Sequence, residues 1–81
     1  MRSIENISEI EMNNNTYNVI DCITLNNNNY LFLENKKDKE DMMCLKATLE
    51  DELKLSRLDT EEELISVTKK YCEKYGLEFQ N

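Results

Sequence analysis

Apolar and polar residues alternate along the first third of the chain, a pattern typical of half-buried β-strands. Residues 9–12 alternate in this way and predict a first strand. Residues 17–25 are rich in β-branched and aromatic side chains and predict a second strand. The side chains expected on one face of the second strand are Tyr17, Val19, Ile23 and Leu25. Asp21 interrupts that face, which indicates a bulge, an edge or a strand end close to it.

Three further strands are predicted downstream. Tyr30–Leu33 is apolar on both faces, so we expect it at the centre of the sheet, and the charged segment 34–41 that follows it reads as a solvated loop. Residues 42–48 predict a fourth strand and residues 53–58 a possible fifth. A helix through 45–57 is the alternative, because Leu45, Leu49, Leu53 and Arg57 also fall at helical spacing. We favour the strands.

The last element predicted is an α-helix. Asp59 or Thr60 is expected to cap it, since each has a glutamate three residues further on. The carboxylates of residues 61–63 suit the positive end of the helix dipole, and Gly76 is a typical stop. The apolar face at helical spacing consists of Leu64, Val67, Thr68, Tyr71 and Tyr75. A short extended tail is expected at residues 77–79.

Asparagine takes the place of glycine and proline at the expected turns. The chain has one glycine and no proline, yet it contains the runs Asn13–Asn15 and Asn26–Asn29. Asparagine tolerates the left-handed backbone region better than other non-glycine residues, so both runs predict hairpin turns. An aggregation-prone polar tract, or the codon bias of an AT-rich genome, would also produce such runs. The fold class predicted for residues 1–81 is a single α+β domain, an antiparallel β-meander of 4–5 strands followed by one C-terminal helix packed on the sheet.

This order of elements resembles the small acidic YrzB-like proteins of Gram-positive bacteria. The resemblance covers about residues 10–75 and depends on the spacing of the elements and on the stretches Tyr30–Leu33 and Asp59–Leu64. That family has Asp and Gly at turns where this chain has Asn. The resemblance implies the same fold, and it implies no activity or cofactor.

Charge excludes two large classes of function. The chain has 17 acidic and 10 basic side chains, which gives a net charge of −7. A nucleic-acid backbone or an anionic membrane surface would repel such a chain, so we expect neither as a direct partner. With no signal peptide and no apolar run long enough to cross a bilayer, the expected location is the cytoplasm.

Catalytic and metal-binding patterns are also missing from the sequence. It has no histidine, no glycine-rich loop and no CxxC motif, and Cys22, Cys44 and Cys72 are expected to be reduced thiols at or near the core. The segment 35–41 lacks the glycine of a calcium loop. We therefore expect a protein that is not an enzyme and has no catalytic residues, bound metal or cofactor.

The negative charge is concentrated in two regions, residues 50–63 and residues 1–35. Residues 50–63 contain seven acids and two bases, whereas residues 1–35 contain five acids and one base. Clustered carboxylates steer association with a basic surface on another protein, although they also simply keep a small domain soluble. The candidate partner-binding residues are Glu50, Asp51, Glu52, Asp59, Glu61, Glu62 and Glu63.

Two hypotheses of function follow from these residues. The first is a small cytoplasmic protein-interaction module that binds a protein partner with a basic surface. The alternative is an inhibitor encoded by a phage or mobile element, similar in size and acidity to some anti-CRISPR proteins. Such an inhibitor would block the basic groove of a host nuclease with carboxylates in place of phosphates. An exposed edge strand would also allow self-pairing, which the sequence does not decide.

Overall fold

The computed structural model describes residues 4–79, and five strands in it follow one another across a single sheet in the order of the sequence. Each strand pairs antiparallel with the next, and one helix follows the last strand. The elements are β1 (Glu9–Met12), β2 (Asn15–Leu25), β3 (Asn28–Asn35), β4 (Met42–Leu49), β5 (Leu53–Ser56) and α1 (Glu61–Tyr75). This confirms the predicted α+β meander with a C-terminal helix.

Asparagine forms the two tight hairpin turns, as predicted. Asn13 and Asn14 connect β1 to β2, and Asn26 and Asn27 connect β2 to β3. All four have positive φ, between 53° and 67°. A two-residue turn with positive φ at both central positions matches the right-handed twist of the strands that it joins, so these turns set the register of both hairpins.

A β-bulge in β2 reverses the side of the sheet to which its odd-numbered side chains point. Val19 pairs with Leu33 and Asp21 pairs with Phe32, so Ile20 is the extra residue. The bulge expected near Asp21 is therefore confirmed. The expectation that Tyr17, Val19, Ile23 and Leu25 share one face is wrong, because one inserted residue reverses the alternation of all the side chains that follow.

Both faces of the central strand β3 are covered. Leu31 and Leu33 are fully buried on one face, in a cluster that the 3-10 turn Ile4–Asn6 also joins. The buried members of that cluster are Ile4, Ile10, Tyr17, Leu31, Leu33 and Ala47. The opposite face carries Ile23 and Tyr30, which pack with Val67 of α1. Two small hydrophobic clusters therefore share one sheet.

The segment between β3 and the helix contains two strands and no helix, which rules out the alternative of a helix through 45–57. β5 ends at Ser56 rather than at residue 58, and Leu58 packs against the helix-side cluster after the chain has left the sheet. The loop after β3 is shorter than the predicted 34–41, since β3 continues to Asn35. The Asn35 amide donates to Asp41, which closes this loop.

The helix begins and ends where its sequence predicts. Thr60 is the N-cap, and Gly76 ends the helix in the left-handed conformation with φ of 66°. The predicted apolar face is buried only in its middle, because Leu64 and Tyr75 are both exposed near the ends of the helix. Residues 77–79, where a short extended tail is expected, form neither helix nor strand.

α1 is also the longest helix in the described part of the chain. None of the helices among residues 4–79 combines the length and the apolar character needed to cross a lipid bilayer.

Candidate functional site

The acidic residues singled out by the sequence lie in two groups at the two ends of β5. One group is the turn between β4 and β5, and the other lies between the end of β5 and the first turn of α1. The first group is Glu50, Asp51 and Glu52, and the second is Asp59, Glu61, Glu62 and Glu63. β5 has four residues and is therefore roughly 13 Å long. The fold presents two patches of carboxylates rather than one continuous cluster.

The turn between β4 and β5 carries freely solvated carboxylates. Glu50, Asp51 and Glu52 are all exposed. Within the turn the Glu50 backbone N–H donates to the Glu52 carbonyl at 3.4 Å. Within residues 4–79 their side chains take part in no hydrogen bond or ion pair. Their full charge is therefore available to a partner.

The first turn of α1 presents two more free carboxylates. The Thr60 hydroxyl accepts a hydrogen bond from the Glu63 backbone N–H at 3.0 Å, which fixes the start of the helix. Glu61 and Glu62 are exposed, and neither forms an ion pair with any residue that the structure describes. The positive end of the helix dipole stabilises acidic side chains at these positions. Glu61 and Glu62 therefore lower the stability of the fold little, and both remain accessible to a partner.

Glu63 differs from its two neighbours, because its carboxylate points back to the sheet. The Tyr30 hydroxyl donates to Glu63 Oε2 at 2.5 Å, and Lys46 Nζ lies 2.9 Å from the same oxygen. The backbone N–H of Asp59 donates to the other oxygen at 2.7 Å. These hydrogen bonds, first that from Tyr30 and then that from Lys46, lower the pKa of Glu63 from 4.5 to about 2. Glu63 is one of the candidate partner-binding residues, but its side chain is only 18% exposed and is engaged by the sheet.

Lys46 also partly neutralises Asp59. Its Nζ lies 3.2 Å from Asp59 Oδ2, although the Asp59 side chain is 82% exposed. Hydrogen bonds to Glu63 and then to Asp59 raise the pKa of Lys46, so the cation is retained. In the part of the chain that the structure describes, five of the seven candidate residues keep an unpaired carboxylate. Asp59 shares its charge with Lys46, and Glu63 serves mainly to hold the helix on the sheet.

A shallow apolar groove lies beside the start of the helix. Its apolar lining residues are Cys44, Leu45, Leu58 and Leu64, and its charged lining residues are Arg57, Asp59 and Glu61. Leu64 is 43% exposed there, although it belongs to the apolar face of α1. Burial, with a smaller contribution from the Glu63 charge, raises the pKa of the Cys44 thiol to about 11. Cys44 is therefore uncharged at neutral pH and acts as an apolar side chain in this groove.

A second ion pair holds the other end of the helix. Lys74 Nζ lies 2.8 Å from Asp21 Oδ1, which also accepts the Cys22 backbone N–H at 2.8 Å. The Asp21 side chain is only 9% exposed. Burial by itself raises the pKa of Asp21, but the hydrogen bonds from Lys74 and from the Cys22 backbone outweigh it, and the pKa lies below its ordinary value. Asp21 is therefore an ionised anchor for the helix.

The cysteines and carboxylates of residues 4–79 form no metal-binding cluster. No three side chains of the Cys, Asp or Glu type come close enough among residues 4–79 to hold a metal ion. Cys22, Cys44 and Cys72 are all half-buried. Cys22 packs against the sheet face that carries Leu31, and Cys44 against the face that carries the helix.

Sequence reasoning missed the partners of Glu63 and Asp21. Thr60 and Glu63 have the spacing of a helix cap, but the Tyr30 hydroxyl and Lys46 come from distant strands. No local sequence pattern marks Tyr30 or Lys46 as a neighbour of Glu63. The exposure of Leu64 was equally hidden, because its position on the apolar face of the helix predicts burial.

Comparison of the chain with protein-family models, with curated proteins and with solved structures finds no match. The resemblance to the YrzB-like proteins stays a prediction, and any function has to be inferred from the carboxylates and the groove themselves.

Proposed function

We propose that this protein is a small, non-enzymatic, cytoplasmic interaction module that binds a basic surface of another protein. The observation that carries the proposal is a set of five exposed carboxylates at the two ends of β5, none of them paired within residues 4–79. They are Glu50, Asp51, Glu52, Glu61 and Glu62. Neither patch is needed to complete the fold, because all five side chains point to solvent.

Electrostatic attraction supports this proposal. Clustered like charges strengthen the local electrostatic potential and speed the encounter with an oppositely charged surface. Lys46 neutralises only the carboxylates that it touches, Asp59 and Glu63. The remaining negative charge therefore faces outwards, where a partner with clustered Lys and Arg would meet it.

The chemistry of the chain supports a binding role rather than a reaction. The sequence contains no histidine. The pKa of Cys44 is raised, which keeps that thiol from being an effective nucleophile at neutral pH. The lowered pKa of Glu63 favours a permanently ionised structural group over a proton donor.

Affinity capture from a lysate of the source cells, at low and at high salt, tests the proposal. The bait variants are Glu61→Lys/Glu62→Lys and a matched control, Glu11→Lys/Glu73→Lys, which changes the net charge equally at exposed positions elsewhere. A specific partner should bind wild type at low salt, dissociate at high salt and bind the control. It should be lost from the Glu61→Lys/Glu62→Lys variant.

Equal loss from both variants would show that only net charge matters, and would contradict a defined binding surface. Failure to capture any protein would also count against the proposal. If the captured protein is a nuclease and added nucleic acid displaces it from the bait, the inhibitor hypothesis is favoured over a general interaction module.

A further inference from the structure

We infer that the groove beside the helix start is the apolar centre of the binding surface, and that its occupant is a basic partner segment with one apolar anchor. The anchor would be a Leu, Met or Phe side chain flanked by Lys or Arg. This inference rests on the proposed function and adds to it the chemistry of the partner.

Leu64 is the first reason for this inference. One turn further along the helix, Val67 is completely buried, whereas Leu64 is 43% exposed above Cys44 and Leu58. Leu58 and Cys44 pack against the helix-side cluster, but Leu64 does not belong to it. An apolar side chain in a groove with an uncharged floor is the kind of site that an anchor residue fills when a partner binds.

The charges around the groove select the partner. Asp59 and Glu61 line the groove, and Glu62 lies next to them in the first helical turn. An apolar centre with a charged rim is the usual arrangement of a protein interface. The rim here is mainly acidic, so basic residues on both sides of the anchor complement it.

Arg57 provides an independent check on the electrostatic part of the inference. It lines the same groove, is exposed, and forms no ion pair with the residues that the structure describes. Because Arg57 repels a basic segment, its removal should strengthen binding. A gain of affinity is harder to produce by accidental damage to the fold than a loss.

The experiment is selection of 12-residue peptides from a randomised display library on the wild-type protein. We expect enriched peptides to contain an apolar side chain flanked by Lys or Arg. The dissociation constant of one enriched peptide is then measured by fluorescence anisotropy. Leu64→Asp should weaken binding by about tenfold or more, as expected for a central anchor contact.

Leu77→Asp is the matched control, because Leu77 is also exposed but lies beyond the helix end. It should change the dissociation constant by less than about threefold, a difference worth under 1 kcal/mol. Glu61→Lys should weaken binding and Arg57→Gln should strengthen it. Circular dichroism and urea unfolding confirm that each variant is folded, and Leu64→Met should retain binding if Leu64→Asp is unstable.

The outcomes separate this inference from the proposed function. Basic peptides whose binding depends on Glu61 and Glu62 but not on Leu64 would overturn the apolar anchor and leave the proposed function intact. A selection that enriches no basic peptides would overturn both. Peptides that respond equally to Leu64→Asp and Leu77→Asp would also overturn the inference.

Discussion

Asparagine at the hairpin turns illustrates how much a single residue type decides in this protein. The four non-glycine residues with positive φ among residues 4–79 are all asparagines, and they occupy the central positions of two tight turns. For most L-residues the left-handed conformation costs about 1–2 kcal/mol, because the Cβ atom approaches the backbone carbonyl. Asparagine reduces this cost, since its short polar side chain interacts with the local backbone.

A substitution at Asn27 tests this role. Asn27 has φ of 67° and is exposed, so replacement changes the turn and no core contact. We expect Asn27→Ala to lower the free energy of unfolding by about 1 kcal/mol, and Asn27→Gly to change it by less than about 0.5 kcal/mol. Urea unfolding at pH 7 measures both. Equal effects of the two substitutions would contradict the conformational explanation.

The Glu63 carboxylate predicts a defined dependence of stability on pH. Its pKa is about 2 in the folded protein and 4.5 as the reference for the unfolded chain. A carboxyl group whose pKa is lowered by folding stabilises the folded state above its unfolded pKa, and this stabilisation disappears as pH falls towards the folded pKa. Glu63→Gln should therefore be less stable than wild type above pH 5, and the difference should shrink between about pH 4.5 and pH 2.

Urea unfolding of both proteins at several pH values measures this difference. Glu62→Gln is the control, because Glu62 is the exposed neighbour of Glu63 and, among residues 4–79, is bonded to neither Tyr30 nor Lys46. A Glu63→Gln deficit that stays constant down to pH 2, or an equal deficit for Glu62→Gln, would contradict the assignment.

At the scale of the elements, the bulge in β2 decides how the helix is held. The extra residue Ile20 turns Asp21 to the side of the sheet that carries α1, where it meets Lys74. The start of the helix is held by Lys46 and Tyr30 through Glu63. Between these polar anchors, Tyr71 stacks on Phe32 with ring centroids 4.7 Å apart. The helix is therefore fixed at both ends by charge and in the middle by apolar contacts.

Charge reversal in the first helical turn distinguishes the surface residues Glu61 and Glu62 from Glu63, which anchors the helix to the sheet. Glu61→Lys/Glu62→Lys should unfold cooperatively and lose at most about 1 kcal/mol per reversal, from the unfavourable interaction with the helix dipole. Adding Glu63→Lys should destabilise the protein much more, because it places a second cation beside Lys46 and removes the acceptor for Tyr30.

Thermal unfolding of the double and triple variants by circular dichroism makes this comparison. If Glu63→Lys adds no more destabilisation than either of the other two reversals, the anchoring role of Glu63 is wrong.

At the scale of the whole molecule, stability depends on two small clusters that share the strand β3. Leu33 is fully buried on the face that the 3-10 turn joins, and Val67 is fully buried on the helix face. A domain of this size buries a modest fraction of its surface, so neither cluster is expected to fold without the other. Both should therefore break down in a single transition.

Two truncations test this cooperativity. Leu33→Ala should cost about 3 kcal/mol and Val67→Ala about 2 kcal/mol, from lost burial and the cavity that remains. In each variant, tyrosine fluorescence and far-ultraviolet circular dichroism should report the same transition midpoint in urea. Loss of helical signal before the fluorescence change in Val67→Ala would show that the helix unfolds independently of the sheet.

Local signals in the sequence account for most of the fold. The alternation of residues 9–12, the asparagine turns, the Thr60 cap and the Gly76 stop depend on neighbours within a few positions, and each of these predictions is confirmed. The concentration of acids in residues 50–63 is also read directly from the sequence. Backbone preference and capping are local interactions, so the sequence by itself is enough to determine them.

Only the tertiary structure decided which carboxylates are free and which are structural. Glu62 and Glu63 are adjacent in α1, yet Glu63 is bound by Tyr30 of β3 and Lys46 of β4, while Glu62 remains in solvent. The reversal of faces at Asp21 and the exposure of Leu64 have the same origin. Each depends on which distant residue lies opposite, and strand register and helix docking determine that pairing, whereas the local sequence does not.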